Sequence, residues 1–405
     1  MAAITHTEAA VLSDQTRSST TYATIPGASI SSSFFTVGNK YLILATAQVS
    51  INVINDSIKV QAIHGSTAFA QSEFHFLGQV ATNRFPYQWF TVWTAVSSEG
   101  IELQFACRDT GTNTVSADQV SVIAIDLSTN LTENTDWFFN ETDSDATHDS
   151  TDKDGAAVTF TPSGASDWWV LSHYQGTLTT NNGTVVTCSQ IRSGEASSSE
   201  PTVGYGATAA YAGAAPHQVM LSRVYSLTAA SNTFTERSNG PASGGFVRRY
   251  STMFALNLNK FKDHAFAYTS AGTNLNTTNY NVTVQTVNLT PTVQSDVLII
   301  GFYNYDCNAR DNKGEFRIQL DGADQPTGQT TDNYQIDAGN PNVGELPYIL
   351  STLASSVSAA SHTINMDASV SATTSTPDAQ NRSLIAFTME LAANTTVGNL
   401  AWITA

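Results

Sequence analysis

The sequence predicts an all-β protein built from three tandem antiparallel β-sandwiches of jelly-roll type. Its 405 residues contain many short segments rich in Val, Ile, Thr, Tyr and Phe, bounded by Gly, Asn, Ser and Pro, which is typical of strands. Several of these segments recur three times along the chain. No segment of about ten residues or more has a clear helical period, and we assign 343–357 to strand because its counterparts in the other copies are rich in β-formers.

The last segment of each copy gives the clearest repeat. Ala124, Ala255 and Ala386 are each 131 residues apart and lie in continuously apolar runs. Such runs are typical of central strands that are covered on both faces. A unit of this size can bury roughly two thirds of its unfolded surface, so each copy is expected to fold alone, as beads on a string.

Turn-forming residues divide each copy into strands. Ser97-Ser-Glu-Gly100, 228–232 and 358–361 occupy matching places and are interpreted as β-hairpin turns. Six to eight strands in about 130 residues favour a jelly roll. An immunoglobulin-like sandwich is the alternative, and the lack of its Cys…Trp…Cys pattern counts against it.

The repeats also suggest boundaries. Aromatic peptides that begin at Asp136 and at Asp263 mark the junctions between copies. We expect them to open or close a strand against a neighbouring copy; the alternative is that they insert into a partner subunit. The predicted units are an N-terminal arm (1–16), sandwich copies at 17–133, 134–263 and 264–393, and a C-terminal tail (394–405).

Composition excludes several functions. The formal net charge of −17 argues against a nucleic-acid binder, which needs cations opposite phosphates, and against docking on an anionic membrane. Only 13% of residues are charged, against about 25% in ordinary soluble proteins. The N-terminus lacks the basic and apolar regions of a signal peptide, and no apolar run reaches about 18 residues, so we expect assembly in a cytoplasm.

No catalytic motif is present, so we predict a non-enzymatic protein without catalytic residues, metal ligands or cofactor. The free thiols of Cys107, Cys188 and Cys307 are expected to be buried. His64, His75, His173 and His362 fall in strand-like segments and are interpreted as surface or hydrogen-bonded histidines. An enzyme with a chance arrangement of Ser, His and Asp ranks third among the functions considered.

Two further groups have competing interpretations. Asp143, Asp145, Asp149, Asp152 and Asp154 are interpreted as a solvated linker between copies one and two, with a calcium loop as the alternative. The tryptophans are expected to pack in the core, with stacking on sugars as the alternative, and the adjacent pair must point to opposite faces of a strand. These tryptophans are Trp89, Trp93, Trp168 and Trp169.

The tandem sandwiches, the acidic composition rich in Thr, Ser and Asn, and the scarcity of lysine together resemble the virion structural proteins of tailed bacteriophages. Those proteins include capsid decoration proteins, head-fibre proteins and tail appendages, and the resemblance extends over the whole chain without assigning any site residue. It implies jelly-roll modules on a particle, held by protein contacts and often in threefold assemblies.

The expected location is therefore the virion, with capsid or tail proteins as partners and a homo-oligomer such as a trimer. We expect one end copy, with the N-terminal arm, to anchor the protein. The alternative function is a carbohydrate-binding or adhesive tail appendage that recognises host surface glycans. Neither nucleic acid nor a membrane is an expected partner.

Overall fold

The computed structural model describes most of the chain. The described residues are 3–53, 57–77, 84–96, 99–108, 113–178, 185–194, 202–206, 215–240, 246–275, 282–306, 313–329, 333–334, 346–370 and 378–392. They form almost entirely antiparallel β-structure, which confirms the predicted fold class. Helical structure in these ranges is limited to one-turn 3-10 segments at Ser32–Phe34, Ala70–Ser72 and Leu258–Lys260. None of the described helices could span a membrane.

The first sandwich contains two sheets. Its strands are β1 (His6–Val11), β2 (Gln15–Arg17), β3 (Ala23–Ile30), β4 (Lys40–Ile51), β5 (Ser57–His64), β6 (Thr67–Ala68), β7 (Phe74–Leu77), β8 (Arg84–Thr94), β9 (Ile101–Cys107) and β10 (Val115–Asp126). One sheet has the order β1-β10-β4-β8, with β2 also on β10. The other has the order β3-β9-β5-β6, with β7 also on β5.

The second sandwich follows the same plan. Its strands are β11 (Trp137–Thr147), β12 (Lys153–Phe160), β13 (Ser166–Leu178), β14 (Val185–Arg192), β15 (Thr202–Gly206), β16 (Ala215–Leu227), β17 (Asn232–Asn239) and β18 (Phe246–Asn257). The sheet orders are β11-β18-β13-β16 and β12-β17-β14-β15.

The third sandwich repeats this order. Its strands are β19 (His264–Thr269), β20 (Thr273–Asn274), β21 (Val282–Leu289), β22 (Ser295–Asp306), β23 (Lys313–Leu320), β24 (Ala323–Gln329), β25 (Asn333–Tyr334), β26 (Leu346–Val357), β27 (His362–Val370) and β28 (Asp378–Thr388). The sheets are β19-β28-β22-β26, with β20 on β28, and β21-β27-β23, with β24 and β25 on β23. A single parallel bridge between β25 and β8 joins the third sandwich to the first.

In each third of the chain the main strands alternate between two facing sheets, and the first strand lies beside the last. Two facing four-stranded sheets with this connectivity form a jelly roll. The predicted hairpins are therefore wrong. The turns after Thr94, Leu227 and Val357 lead from one sheet to the opposite sheet, because β8, β16 and β26 do not pair with the strands that follow them. Turn composition shows that the chain reverses there but not which sheet it enters.

The predicted N-terminal arm is also wrong, because β1 is an edge strand of the first sandwich. His6 pairs with Ile125 and Val11 with Val120 along β10. Ile4 is only 2% exposed. The polar composition of residues 1–16 hid this strand, since an edge strand buries only part of its side chains. The predicted C-terminal tail, 394–405, lies outside the described residues.

The three repeat alanines occupy one position in the shared topology. Ala124, Ala255 and Ala386 lie in the strand adjacent to the first strand of their sandwich, and all three are fully buried. Their neighbours on the other side are Ile43, Val170 and Ile299. The prediction of central strands covered on both faces is confirmed. An origin by duplication and the exact domain boundaries stay predictions.

We call the sheets that carry these alanines the inner sheets, because their second face packs against the other sandwiches. Trp168 points into the second sandwich, where its ring lies 4.2 Å from that of Phe160. Trp169 points the opposite way, and its ring lies 5.8 Å from that of Phe387 in the third sandwich. One hydrophobic cluster includes the interiors of the first and third sandwiches and the face of the second sandwich's inner sheet on which Trp169 lies.

The expectation of beads on a string is therefore wrong. Strands β8, β16 and β26, one from each sandwich, contact one another at the centre of the molecule. The expectation considered only how much surface one copy can bury. It overlooked that the inner sheet is apolar on both faces, so that its second face must be covered by another sandwich.

The junctions between sandwiches follow a cyclic pattern. At each junction the start of the first strand of one sandwich meets the start of an inner-sheet strand of another sandwich. These strand pairs are β1 with β22, β19 with β13, and β11 with β4. The three pairs are His6 with Asp296 at 3.0 Å, His264 with Asp167 at 3.0 Å, and the Lys40 ammonium at 5.6 Å from the ring centroid of Trp137. The first sandwich thus contacts the third as the third contacts the second, and the head-to-tail contacts close a ring within one chain.

Candidate functional site

A groove between the second and third sandwiches is the candidate functional site. It has a volume of about 620 Å³ and is lined by residues of β14 and β16 on one side and of β19 and β21 on the other. This volume is within the range of about 300–1,000 Å³ usual for small-molecule sites. The side chains that give the groove its chemistry are Arg192, Arg223, Tyr225, Phe266, Tyr268 and Gln285.

Arg223 is held between two aromatic rings. Its guanidinium carbon lies 4.5 Å from the ring centroid of Tyr225 and 4.1 Å from that of Tyr268. Cation–π contacts of this kind contribute about 0.5–2 kcal/mol each, so they hold the guanidinium beside both rings.

Neighbouring polar side chains are also fixed. The hydroxyl of Thr269 donates to Oε1 of Gln285 at 3.3 Å, which leaves the amide nitrogen as the other end of that side chain. The hydroxyl of Tyr268 donates to Oδ1 of Asn381 at 3.2 Å, and Nε of Arg192 donates to Oδ1 of Asn232 at 3.1 Å. The groove therefore combines two arginine side chains, aromatic surface and the Gln285 amide.

The corresponding junction between the third and first sandwiches contains a carboxylate of the chain itself. Glu8 occupies the position on β1 that Phe266 occupies on β19. Its carboxylate accepts hydrogen bonds from the hydroxyls of Ser121 and Thr327, and its Oε2 accepts from the Leu353 backbone N–H. Burial raises the pKa of Glu8 above its ordinary value, against the effect of these hydrogen bonds.

A second polar group lies inside the second sandwich. Glu236 and Arg248 are almost fully buried and face each other, with a carboxylate oxygen 3.6 Å from a guanidinium nitrogen. Burial raises the pKa of Glu236 to about 7, although Arg248 acts in the opposite direction. Burial also lowers the pKa of the neighbouring His148 to about 4.

This interior is not arranged for nucleophilic chemistry. Burial raises the pKa of the Cys188 thiol, which keeps it protonated and unreactive. In the first sandwich, apolar Phe105 and Ala117 occupy the strand positions of Glu236 and Arg248. The ion pair is thus a feature of the second sandwich, closed off from solvent.

The structure confirms most predictions for single residue types. Cys107 and Cys188 are buried free thiols, and Cys307 lies outside the described residues. Three of the predicted histidines bond to carboxylates: His64 to Glu99 at 2.6 Å, His75 to Glu73 at 2.9 Å and His362 to Asp321 at 2.6 Å. His173 is fully buried at the junction of the first and second sandwiches, and burial lowers its pKa to about 3.

The tryptophan predictions are confirmed as well. Trp89, Trp93, Trp168 and Trp169 have exposures between 0% and 7%, so they pack in the core. Stacking of sugars on these four rings is therefore wrong. The predicted junction peptides open strands β11 and β19, as expected; Trp137 Nε1 donates to the Leu127 carbonyl at 3.1 Å.

The acidic segment is not a linker. It belongs to β11, β12 and the turn between them in the second sandwich, where four of its carboxylates pair with cations. Three of these pairs are Asp145 with Arg249 at 2.6 Å, Asp154 with Arg237 at 2.6 Å and Asp149 with Lys153 at 2.8 Å. The fourth carboxylate, Asp152, lies 3.5 Å from the same Arg237. The described part of the chain contains no cluster of three or more His, Cys, Asp or Glu suited to a metal. Clustered acids look like a linker in the sequence because their partner arginines lie about 80–105 residues away.

Sequence reasoning missed the groove residues. Arg192, Arg223 and Tyr268 come from separate strands of two sandwiches, and their approach depends on the closed ring. One signal was available: Arg223 and Tyr225 lie two residues apart in a strand, which places both on one face.

Comparison with known proteins gives structural similarity only. No family model and no curated protein matches the chain. A structure of PNGF-II has 10% sequence identity and a TM-score of 0.30, covering 86% of this chain and 99% of that chain.

Two viral structures show weaker similarity. A triple jelly-roll structure from the turret of an archaeal virus has 9% identity and a TM-score of 0.18, over 84% of this chain and 79% of that chain. A structure from Sulfolobus turreted icosahedral virus has 8% identity and a TM-score of 0.17, over 84% and 80%. These scores are too low to transfer a function, and the jelly-roll assignment depends on the sheet order described above.

Proposed function

We propose that the chain is a non-enzymatic structural protein of a virion, a capsid-surface decoration or head-fibre component assembled through protein–protein contacts. The observation that carries this proposal is the closed ring of three jelly rolls with a shared hydrophobic interior. Such a ring gives one chain a rigid body with three similar faces. That geometry suits a component of a particle surface, which must stay folded as one rigid unit while it is exposed to solvent.

The charge of the molecule supports the same role. A net charge of −17 keeps copies apart at high local concentration and repels packaged nucleic acid until specific contacts form. Catalysis would need an exposed nucleophile or acid–base pair, whereas Glu236 and His173, two groups whose pKa values are strongly shifted, are buried. We therefore propose no enzymatic activity, no cofactor, and no nucleic-acid or membrane partner.

The closed ring also determines which surface of the protein is left for contacts with other virion proteins. The apolar faces of the inner sheets, which could have joined three chains into a trimer, are already covered by the other sandwiches of the same chain. Attachment must then use the periphery. The three strongly exposed large apolar side chains among the described residues, Leu12, Val37 and Val96, all lie in the first sandwich. We propose that this sandwich faces capsid or tail proteins.

Particle incorporation tests this proposal. Val37 and Val96 lie on adjacent segments, since the Gly38 N–H donates to the Ala95 carbonyl at 2.7 Å. Val37→Glu and Val96→Glu should strongly reduce the amount of protein recovered with purified particles, because each places a charge in an apolar contact. Thr161→Glu adds the same charge to an exposed position of the second sandwich and should leave incorporation unchanged.

Two results would reject the proposal. One is the absence of the unmodified protein from purified particles by mass spectrometry. The other is full incorporation of both valine variants, which would remove the first sandwich from the contact. Deletion of residues 1–16 is not a suitable test, because it removes strand β1 and buried Ile4.

A carbohydrate-binding adhesive role is the second candidate. The groove between the second and third sandwiches favours it, since it combines aromatic rings with fixed polar donors. This candidate does not exclude the first, because a displayed protein can carry a glycan site on its outer side.

A further inference from the structure

We propose that the groove between the second and third sandwiches docks an extended polypeptide segment of a partner protein, which pairs with the open edge of β19 as an added strand. This inference goes beyond the proposed structural role, because it adds a contact separate from the first sandwich and names the kind of partner. It depends on where the groove runs, on the backbone groups that face it, and on a comparison with the equivalent strands of the ring.

The groove runs along strand edges. It is lined by four consecutive residues of β19, 266–269, and by four consecutive residues of β16, 223–226. Successive side chains of a strand point to opposite faces, so a groove over one face of a sheet would be lined by every second residue only. Lining by consecutive residues therefore places the groove beside the edges of β16 and β19, which are edge strands of their inner sheets.

The backbone of β19 directs hydrogen-bonding groups to this groove. The Thr388 N–H donates to the Asp263 carbonyl at 2.9 Å, so these residues form a hydrogen-bonded pair where β19 meets β28. In an antiparallel ladder such pairs alternate with pairs whose N–H and C=O groups point away. Ala265 and Ala267 therefore bond to β28, whereas the N–H and C=O of Phe266 point to the open edge. Among the described strands, only β28 pairs with β19.

This edge lacks the protection that the equivalent strands have. Native proteins protect open edges with bulges, prolines or charged side chains, which prevent pairing with another chain. Strand β11 has a register shift between Asp143 and Ala146 and carries exposed carboxylates, and β1 directs the charged Glu8 into its junction. Strand β19 pairs with β28 without a register shift and contains no Pro, Gly, Asp, Glu, Lys or Arg. Of the three equivalent strands, β19 is therefore the one open to strand addition.

A single extended segment fits this edge better than another folded sheet. Its N–H and C=O groups recur on one side every two residues, or about 6.6 Å, which is the spacing of the outward groups on β19. Strands β16 and β21 flank the edge, so a second sheet would meet these strands before it reached β19. Phe266 and Tyr268 would lie on one face of the added strand and Ala267 and Thr269 on the other. We therefore expect apolar residues at alternate positions of the partner segment.

Amide hydrogen exchange of the full chain, followed by nuclear magnetic resonance, tests the proposal with a defined peptide. The probe is the acetylated and amidated peptide Ser-Thr-Val-Thr-Val-Thr-Ser, and the control peptide has proline in place of its central threonine. In the free protein the Phe266 amide should exchange faster than those of Ala265 and Ala267, which bond to β28. Saturating peptide should slow exchange at Phe266 about tenfold or more, and the proline peptide should bind about tenfold or more weakly.

Matched proline variants locate the site. Phe266→Pro removes an N–H that points to the open edge and removes no bond to β28, and edge strands tolerate proline at such positions. It should weaken peptide binding about tenfold or more. Phe139→Pro is the control, because Phe139 occupies the equivalent position of β11, and it should leave affinity within about twofold. The exchange measurement uses the unmodified protein, so it decides the question even if Phe266→Pro lowers the melting temperature.

No binding of the probe would overturn the proposal, as would binding that leaves exchange of the Phe266 amide unchanged. An equal loss of affinity in both proline variants would also reject it. Displacement of the peptide by maltotriose would identify a saccharide site instead, and a dimer that Phe266→Pro dissociates in light scattering would identify a second copy as the occupant. None of these results bears on particle incorporation through the first sandwich, so failure of the peptide site and failure of the structural role are distinguishable.

Discussion

Replacement of Trp169 by alanine separates a closed ring from three independent sandwiches. Trp169 is fully buried, and its ring lies 6.2 Å from that of Phe254 and 5.8 Å from that of Phe387 in the third sandwich. Its Nε1 donates to the hydroxyl of Ser222 at 3.0 Å. If the sandwiches were separate, this side chain would face solvent, and its removal would change stability by no more than about 0.5 kcal/mol.

The closed ring predicts a much larger effect. Removal of a buried tryptophan side chain costs about 3–5 kcal/mol through lost burial and the cavity that remains. The Ser222 hydroxyl would also lose its buried donor, at a cost of about 1 kcal/mol. We therefore expect Trp169→Ala to lower the free energy of unfolding by about 4 kcal/mol.

Urea denaturation followed by circular dichroism measures this difference from the transition midpoint and slope. Trp168→Ala is the control, because Trp168 packs inside its own sandwich and should be costly in either arrangement. A double-mutant cycle with Phe387→Ala isolates the contact between sandwiches and should give a coupling of about 0.5–3 kcal/mol. A cost below about 1 kcal/mol for Trp169→Ala, or no coupling with Phe387, would refute a shared interior.

Three further predictions concern charge and independence. The folded pKa of Glu236, about 7, lies above its ordinary value of 4.5, so its contribution to stability is complete at low pH and is lost as pH rises between these values. Glu236→Gln should remove that loss. The free energy of unfolding of the wild type, minus that of the variant, should therefore fall by about 3 kcal/mol from pH 4 to pH 8. His148, whose folded pKa of about 4 lies below 6.5, contributes in the opposite direction, but it does so in both proteins and cancels when the two are subtracted. The same pH dependence in wild type and variant would contradict the prediction. Glu8→Ala leaves buried donors without an acceptor and should lower the free energy of unfolding by about 1–3 kcal/mol in urea denaturation. The control Glu133→Ala removes one partner of an exposed ion pair and should lower it by less than about 1 kcal/mol. Equal effects would argue against a structural role of Glu8. Residues 134–263 expressed alone should aggregate or bind a hydrophobic dye because their inner-sheet face is uncovered, and a well-folded soluble monomer in light scattering would show that this sandwich closes without its neighbours.

The strand pattern and the two-sided burial of the repeat strands could be predicted from the sequence. Ala124 and its counterparts lie in runs apolar at every position, and such runs fit only strands covered on both faces. The opposite orientation of Trp168 and Trp169 also follows from the period of a strand. These features depend on local sequence, where spacing determines which side chains share a face.

The ring and the groove could not be predicted in this way. The apolar face around Trp169 is equally compatible with a second chain, a neighbouring sandwich or a particle surface, and local sequence does not distinguish these. Arg223 and Tyr268 become neighbours only after the second and third sandwiches meet. Strand β1 was missed for a related reason, since a half-exposed edge strand can carry polar residues such as Glu8 and still be essential.

The overall dimension of the protein in solution tests the closed ring most directly. A single compact body of 405 residues should have a radius of gyration of about 22 Å by small-angle X-ray scattering. Three separate sandwiches of about 130 residues, each with a radius of gyration of about 14 Å, would give about 30 Å or more when joined in a row. A value near 22 Å for the monomer is the predicted result, and a value near 30 Å would contradict a shared interior.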